Sequence, residues 1–336
     1  MKLIGHENTK QRIAVALKSA LSRNTNLPHI LLAGAAGCGK TTTAKWLADT
    51  GGYDFMPVSP LELKTKKSVY QLLERLNMEG YDERGNRIGK IKPTIIFFDE
   101  IHQMPTIGQE VLGIAMENFT LDADVSSTVG KADQVIWLPY FTIVGATTDD
   151  GKLTKPFRDR FKLKFIYEPY KDEEMFEIAK YHAIKRKLKI TKGAIQTIVN
   201  RSRGVPRIMV TNLENIRDMQ IAENAPVIDV NVAEKAFENM GIDPSGFNRI
   251  EIKILKTLME AKTAVGLDNL SIITNESSKT IVQTLEPFLI RKGLILRTGK
   301  GRQITEKGAR YLEEFGHTKD GNKYSKEFIS ATYERR

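Results

Sequence analysis

The chain has 336 residues, 41% of them hydrophobic, a size that excludes a single small core and calls for two or three globular domains. Residues 1–28 hold no apolar stretch of the roughly 7 residues a secretory leader needs, and no run approaches a membrane span. A cytoplasmic protein is expected. A formal charge of +10 favours a polyanionic partner, and the single cysteine, Cys38, excludes an intramolecular disulfide.

Residues 1 to about 168 alternate short apolar runs with amphipathic segments, which predicts a parallel sheet covered by helices. Strands are expected at 30–33, 55–58, 94–98 and 142–145. The first leads into HILLAGAAGCGKTTTAKWLA, residues 29–48, where the spacing Gly34-x4-Gly39-Lys40-Thr41 fits a phosphate-binding loop. A buried strand before the loop and a helix after it aim backbone N–H groups and a helix N-terminus at one point, which suits a polyphosphate. Gly34, Ala36, Gly37, Cys38 and Gly39 then form the cradle, with Thr42 opening the helix behind it. Lys40 reaches the β- and γ-phosphates and the Thr41 hydroxyl ligates Mg²⁺, so ATP and Mg²⁺ are the expected ligands. A glycine-rich turn with a chance Lys-Thr pair is the alternative.

The polar, glycine-bearing stretch 76–93 predicts a surface hairpin or loop. After it, TIIFFDE ends a buried strand in two carboxylates: Asp99 to hold Mg²⁺ and Glu100 to orient the attacking water. Ordinary surface acids at a strand end are the alternative, and the phosphate loop upstream favours hydrolysis. FTIVGATTDD is a further buried strand ending in Thr147 and Thr148, where a hydroxyl can sense the γ-phosphate. Arg158, Arg160 and Arg207 follow, three guanidiniums able to stabilise phosphoryl-transfer charge.

From about 171 to 240 helical periodicity dominates, and MGIDPSGFNR reads as a linker. Three short helical patterns then precede GLILRTGKGRQIT, two strands around a Gly-Lys-Gly turn; residues 317–336 read as a polar tail. Residues 249–336 carry 17 Lys and Arg against 11 Asp and Glu, so +6 of the charge lies in the last quarter.

The order of these motifs resembles the AAA+ ATPases and, more closely, the RuvB family of Holliday-junction branch-migration motors. The matching phrases are FFDEIHQM, AMENFTLD, LPYFTIVGATT, LTKPFRDRF, RSRGVPRI, EPFLI and LRTGKGR, and the resemblance runs from about Ile4 to Leu312. It implies an α/β AAA+ P-loop domain at 1–168, a helical lid at 169–243, a winged-helix DNA-binding domain at 244–316 and the tail at 317–336. It implies an ATPase coupled to translocation of double-stranded DNA or Holliday junctions, working as a homo-hexamer. By resemblance Arg160 is an arginine finger acting on the neighbouring subunit's ATP, with Arg158 beside it. Glu117, Asn118 and Phe119 lie near the same interface. Arg207 matches a sensor contributed to the chain's own nucleotide, and Ile4 and Tyr170 line the nucleotide pocket. Arg297, Lys300 and Arg302 flank the turn of a wing that would lie against a DNA backbone, positioning without reading sequence. The helix expected at 277–290 starts with one lysine and no arginine, which disfavours sequence-specific reading.

The chain departs from the family pattern in four places. Ala35, Ala36 and Cys38 stand where relatives carry two prolines and a leucine. The match takes up at Ile4-Gly5-His6 in place of Ile-Gly-Gln, downstream of the Leu-Arg-Pro segment that helps grip adenine in relatives. Residues 78–92 read as an insertion. The hairpin 121–139, which in relatives docks on the junction-binding partner RuvA, carries Ser126, Ser127 and Thr128 at its tip, which leaves a RuvA-like protein, a divergent analogue or no partner open there; Trp137 belongs to that docking surface or, in the favoured reading, to the core beneath it. A clamp-loader or protein-remodelling AAA+ machine, which needs a different C-terminal collar, and a slowly hydrolysing DNA-binding switch are the rival functions.

Overall fold

The structure is a computed structural model that describes residues 3–23, 25–76, 93–122 and 135–315. The expected loop at 76–93, the insertion at 78–92, the tip of the 121–139 hairpin and the tail therefore lie outside the described residues, wholly or for the most part. The chain forms two compact units. One runs to Leu188 and includes Ser202–Glu214; the other comprises Lys189–Arg201 and the residues from Asn215 onward.

In the first unit the order is α1 Glu7–Arg23, β1 Ile30–Gly34, α2 Lys40–Gly51, β2 Asp54–Val58, α3 Lys66–Leu73, β3 Thr94–Phe98 and α4 Thr106–Asn118. There follow a small hairpin of β4 Thr120–Asp122 and β5 Val135–Trp137, then β6 Phe141–Thr147, α5 Lys155–Asp159, β7 Leu163–Tyr167 and α6 Asp172–Lys185. The five long strands form one parallel sheet in the order β2-β3-β6-β1-β7. The expected strands are present, with β6 longer than expected; β7 was not among them, because Ile166, an apolar residue 81% exposed on this edge strand, breaks the polar/apolar alternation that Lys164 begins.

Successive residues of each central strand point to opposite faces, and both faces are covered, which is why these strands read as unbroken apolar runs. Leu31, Ile96, Phe98 and Ile143 pack with α3 and α4 side chains such as Leu72 and Leu112. Ile30, Leu32, Ile95, Phe97 and Val144 pack on the other face with Ile13 and Leu17 of α1 and Ala44 and Leu47 of α2. Register sets the site: Ala33 pairs with Thr147 and Phe98 with Gly145, so the carboxyl ends of β1, β3 and β6 finish side by side. In open parallel sheets ligands bind in the crevice beyond those ends.

Buried under this sheet, His29 accepts a hydrogen bond at Nδ1 from the Ile143 N–H (2.9 Å) and donates from Nε2 to the Met116 carbonyl (3.1 Å). Burial lowers its pKa to about 4. One expectation is corrected here: Trp137 is 43% exposed on β5 and does not belong to the core, because among the described residues the hairpin strand pairs only with β4, where Trp137 stands across from Thr120.

The second unit takes in α7 Lys192–Asn200, α9 Val230–Met240, α10 Arg249–Ala261, α11 Leu267–Thr274, α12 Ser278–Thr280, α13 Glu286–Arg291, β8 Ile295–Thr298, β9 Gly301–Ile304 and α14 Glu306–Glu314; α8, Pro206–Ala222, begins in the first unit and ends in the second. The 240–249 segment is folded and is not a bare linker. Asp243 Oδ1 accepts from the backbone of Ser245 (2.9 Å) and Phe247 (2.8 Å), and buried Phe247 packs its ring tilted against Phe288 and edge-on to Tyr311. Asn248 then starts α10 in a capping box with Glu251, satisfying N–H groups the helix leaves open. α12 and α13 are one helix broken by a π-helical turn at Ile281–Leu285; Pro287 lacks the N–H that a regular turn would use there. Leu255, Leu258, Leu289, Ile295, Ile304 and Leu312 hold the core of helices, hairpin and final helix together.

Candidate nucleotide site and basic wing

The phosphate loop leaves β1 and closes on α2 with Gly39 at a left-handed φ of 90°. A Cβ at Gly39 would stand 2.5 Å from the Tyr170 hydroxyl oxygen, so both conformation and space demand glycine. Lys40 Nζ donates to the carbonyls of Gly34 (2.6 Å) and Ala35 (2.9 Å), which fixes the ammonium against the loop. Burial lowers the Lys40 pKa; Glu100, Cys38 and Asp99 oppose that shift, and Arg207 adds to it. Thr43 and Tyr167 brace the helix start: the Tyr167 hydroxyl donates to Thr43 Oγ1 at 2.8 Å, and Thr43 donates to the Gly39 carbonyl at 3.1 Å.

A single cleft of about 590 Å³ is lined by Ile4, Ala36, Gly37, Gly39, Lys40, Thr41 and Thr42, by Asp99 and Glu100, and by Tyr170 and Arg207. All of them belong to the first unit. The N-terminal segment reaches the cleft through His6. The His6 backbone N–H donates to Glu174 Oε1 (3.3 Å), its Nε2 donates to the Cys38 carbonyl (3.1 Å), and its ring lies between Tyr167 and Tyr170 at 4.4 and 4.2 Å. Burial lowers the His6 pKa, in keeping with a neutral ring.

At the end of β3 Asp99 is exposed, and Glu100 takes a left-handed backbone, φ 50° and ψ 49°. For a residue with a Cβ that conformation costs roughly 1 kcal/mol, so the surroundings must hold it. They do so through one oxygen. Glu100 Oε2 accepts from the Thr148 backbone N–H (3.1 Å) and hydroxyl (2.8 Å), and His102 Nδ1 lies 3.2 Å from it. His102 Nδ1 is also 2.9 Å from Thr147 Oγ1, which accepts from the Asp149 N–H. A carboxylate only accepts, so the hydrogen on His102 belongs on Nδ1. Thr148, expected as a sensor, is thus joined directly to the residue expected to orient water.

Arg160 caps α5 away from these groups and does not line the cleft. Its Nη1 donates to the Pro156 carbonyl (2.7 Å) and its Nη2 to Glu117 Oε2 (3.0 Å), while Nε is buried with no partner among the described residues. Gly113 makes the room: a Cβ there would meet Arg160 Nε at 3.2 Å. Asn118 is exposed and Phe119 ends α4 with φ 53°, its ring near Tyr140 and Phe141. Arg158 is half-buried on α5.

In the second unit the wing arginines converge on one carboxylate. Glu286 is fully buried; Arg297 reaches its Oε2 from Nη2 (2.6 Å) and Arg302 its Oε1 from Nε (2.5 Å). Arg302 is deep in this cluster while Arg297 is about half exposed, and Lys300 stands exposed at the turn between β8 and β9. Two guanidiniums on one carboxylate leave a net positive charge at the base of the wing.

Three family models cover this chain almost end to end. They describe the RuvB P-loop domain of the Holliday junction DNA helicase over residues 1–166, the RuvB AAA lid domain over 170–243 and the RuvB C-terminal winged helix domain over 244–313. The Holliday junction branch migration complex subunit RuvB of Campylobacter lari is 35% identical over 300 residues, 89% of this chain and 85% of its own. That of Wolbachia sp. subsp. Brugia malayi is 34% identical over 308 residues, 92% and 90% of the two chains. The chain belongs to the RuvB family. The solved Thermotoga maritima RuvB Holliday junction branch migration motor has the same fold, with a TM-score of 0.75 at 32% identity over 92% of this chain and 95% of that one.

The RuvB assignment makes the fold an AAA+ P-loop domain with a parallel sheet, a helical lid and a winged helix, as expected, and the enzyme class an ATPase coupled to DNA translocation. The winged helix in the position of the collar sets aside the clamp-loader alternative. Among the described residues no helix is long and apolar enough to cross a membrane. Three residues of the RuvB site had no assigned role in the sequence: His6, His102 and Glu286. DEIH carries a signal for His102, since a histidine two residues after an acid can fold back on it in a tight turn. Nothing local marks Glu286, whose partners lie 11 and 16 positions further on.

Proposed function

We propose that this chain is the subunit of an ATP-driven ring motor that moves double-stranded DNA and drives branch migration of Holliday junctions in recombination and repair. The observation that carries the reading is the division of labour among its charged groups. Lys40, Thr41, Asp99, Glu100 and Arg207 line the cleft, whereas Arg160 stands outside it on Glu117 and is available to another copy. An arginine acting in trans requires an oligomer, and a homo-hexamer is the form this reading adopts. The proposed domain limits are 1–168 for the ATPase domain, 169–243 for the lid, 244–316 for the winged helix and 317–336 for the tail.

Backbone N–H groups of residues 34–42 and the Lys40 ammonium hold the β- and γ-phosphates of ATP, Tyr170 and Ile4 flank the nucleoside, and Arg207 senses the γ-phosphate. The Thr41 hydroxyl and the Asp99 carboxylate both line the cleft, an oxygen-only pair that fits a hard cation. Mg²⁺ held there would supply neutralisation of phosphate charge. Glu100 orients a water whose oxygen bonds to the γ-phosphorus as the bond to the β,γ-bridging oxygen breaks; the proton passes to the carboxylate and on to solvent. Thr148 couples Glu100 to the arrival of the γ-phosphate. Arg160 of the neighbouring subunit leaves Glu117 and stabilises the charge that develops. Arg158 and the Glu117-Asn118-Phe119 corner shape that interface.

At the other end of the chain Lys300 and Arg297 lie along a phosphate backbone, while Arg302 holds the wing in shape through Glu286. The hairpin 121–139 is the docking element for a RuvA-like partner. Mixing subunits tests the trans arginine. Arg160→Ala subunits bind ATP and lose most turnover; mixed with Lys40→Ala subunits they regain part of it, because some interfaces then combine an intact cleft with an intact finger. Full turnover by Arg160→Ala alone would end the assignment.

A further inference from the structure

The nucleotide cleft has two chemically different ends. The glycine loop and the strand ends supply Lys40, Asp99 and Glu100 to the lining, whereas the N-terminal segment, α6 and α8 supply the apolar and aromatic Leu3, Ile4, Ile178, Tyr181 and Val210. A nucleoside triphosphate has the same polarity, an anionic tail and a flat heteroaromatic base. The apolar end therefore takes the base, and its polar groups decide which base is held.

His182 lines that end, half-buried on α6, its ring edge-on to Tyr181 at 5.5 Å. Arg186 Nη1 lies 2.8 Å from His182 Nδ1, and Arg186 Nη2 donates to Glu214 Oε1 at 2.8 Å. A guanidinium has donors and no acceptor, so Nδ1 must accept and the ring hydrogen must sit on Nε2. Burial, and after it the charges of Arg186 and Lys185, lower the His182 pKa and keep the ring in this neutral form. Among the described residues Nε2 has no hydrogen-bond partner. Of the other polar groups at this end, the Thr211 hydroxyl already donates to the Arg207 carbonyl, Lys185 is exposed, and the Tyr181 hydroxyl can donate or accept and so does not select for an acceptor.

We propose that His182 is a base-reading residue of this site, its Nε2–H donating to a ring nitrogen of the purine, with Arg186 and Glu214 fixing the tautomer that donates. The proposal rests on the nucleotide reading of the cleft. Adenine offers N1, N3 and N7 as in-plane acceptors, and the donor can serve one of them. The selectivity is for a purine that presents that nitrogen, and an isostere carrying C–H there is rejected because a buried donor is left unpaired.

The test uses the full chain and displacement of a ribose-labelled fluorescent ATP by ATP and by its 1-deaza, 3-deaza and 7-deaza analogues. One analogue should bind the unaltered chain about fivefold to tenfold more weakly than ATP, the scale of one neutral hydrogen bond. His182→Phe should lose the same factor toward ATP and toward the other two analogues, and nothing further toward that one. His182→Gln, whose amide can donate, should recover most of the loss, and Arg186→Leu, which releases the tautomer, should fall between. Equal losses by His182→Phe toward all four ligands, or no loss toward ATP, would overturn the role of His182 while leaving the cleft a nucleotide site. Failure of the unaltered chain to bind the labelled ATP would overturn both.

Discussion

The nucleotide cleft and the wing each gather charged side chains, and they dispose of them differently. In the cleft Lys40 rests on two backbone carbonyls and Asp99 is exposed at a strand end, so the charges face a space that a ligand can share. In the wing Arg297 and Arg302 close on Glu286, which is fully buried; Arg302 is deep in that cluster, while Arg297 is about half exposed and Lys300 stands exposed at the turn. Charge kept facing a cleft serves binding and chemistry. Charge folded onto a buried partner serves shape, because removing one member leaves the other desolvated and unpaired.

This contrast can be broken most severely at Glu100. Glu100→Gln should cut ATP turnover by about 100-fold or more while ATP binding persists, since water activation is lost and the loop is untouched. Thr148→Val should cost less, because it removes one of several hydrogen bonds to the same oxygen. Steady-state kinetics beside nucleotide-binding isotherms separate the two; a matching loss of binding would show that Glu100 builds the cleft instead of working in it.

In the wing the largest effect should be on stability. Glu286→Ala strands Arg302 at the base of the hairpin and should destabilise the second unit by about 3 kcal/mol in denaturant unfolding. Unaltered stability would mean that the Arg302–Glu286 contact does not hold the wing in shape.

A third prediction concerns buried polarity under the sheet. His29 has a folded pKa of about 4 against an ordinary 6.5, because burial disfavours its charged form. Below pH 6.5 the unfolded chain takes up a proton that the folded chain refuses, so stability falls as pH drops from about 6.5 to about 4, by on the order of 2–3 kcal/mol. Thermal melts across that window should show the slope, and His29→Asn should flatten it. The smallest effect belongs to Lys300→Ala. It should leave unfolding unchanged and lower the salt dependence of duplex binding by about one phosphate contact.

The cleft was legible in the sequence because its parts are local. A phosphate loop is a spacing, and Asp99, Glu100 and Thr148 each follow an unbroken apolar strand, so the topology of a parallel sheet brings them together without further information. The place of Arg160 outside its own cleft depended on kinship, since nothing in RDRF says which site it serves. Glu286 was illegible for the opposite reason. EPFLI looks like an ordinary helix start, and only the return of the hairpin over that helix shows that its carboxylate holds two arginines. Trp137 misled because a large apolar side chain in a short strand reads as core, whereas among the described residues it is left 43% exposed on a two-stranded hairpin.

Under the proposed function, ATP hydrolysis in this cleft is coupled to DNA held by the wing. The most direct measurement is ATP turnover by the purified chain alone, with linear duplex and with a four-way junction, while particle size is followed in the same samples. Ring-sized particles whose turnover rises severalfold on DNA are expected, and the rise should be lost in the Arg160→Ala chain. Turnover indifferent to DNA, or full activity from monomers, would contradict the account.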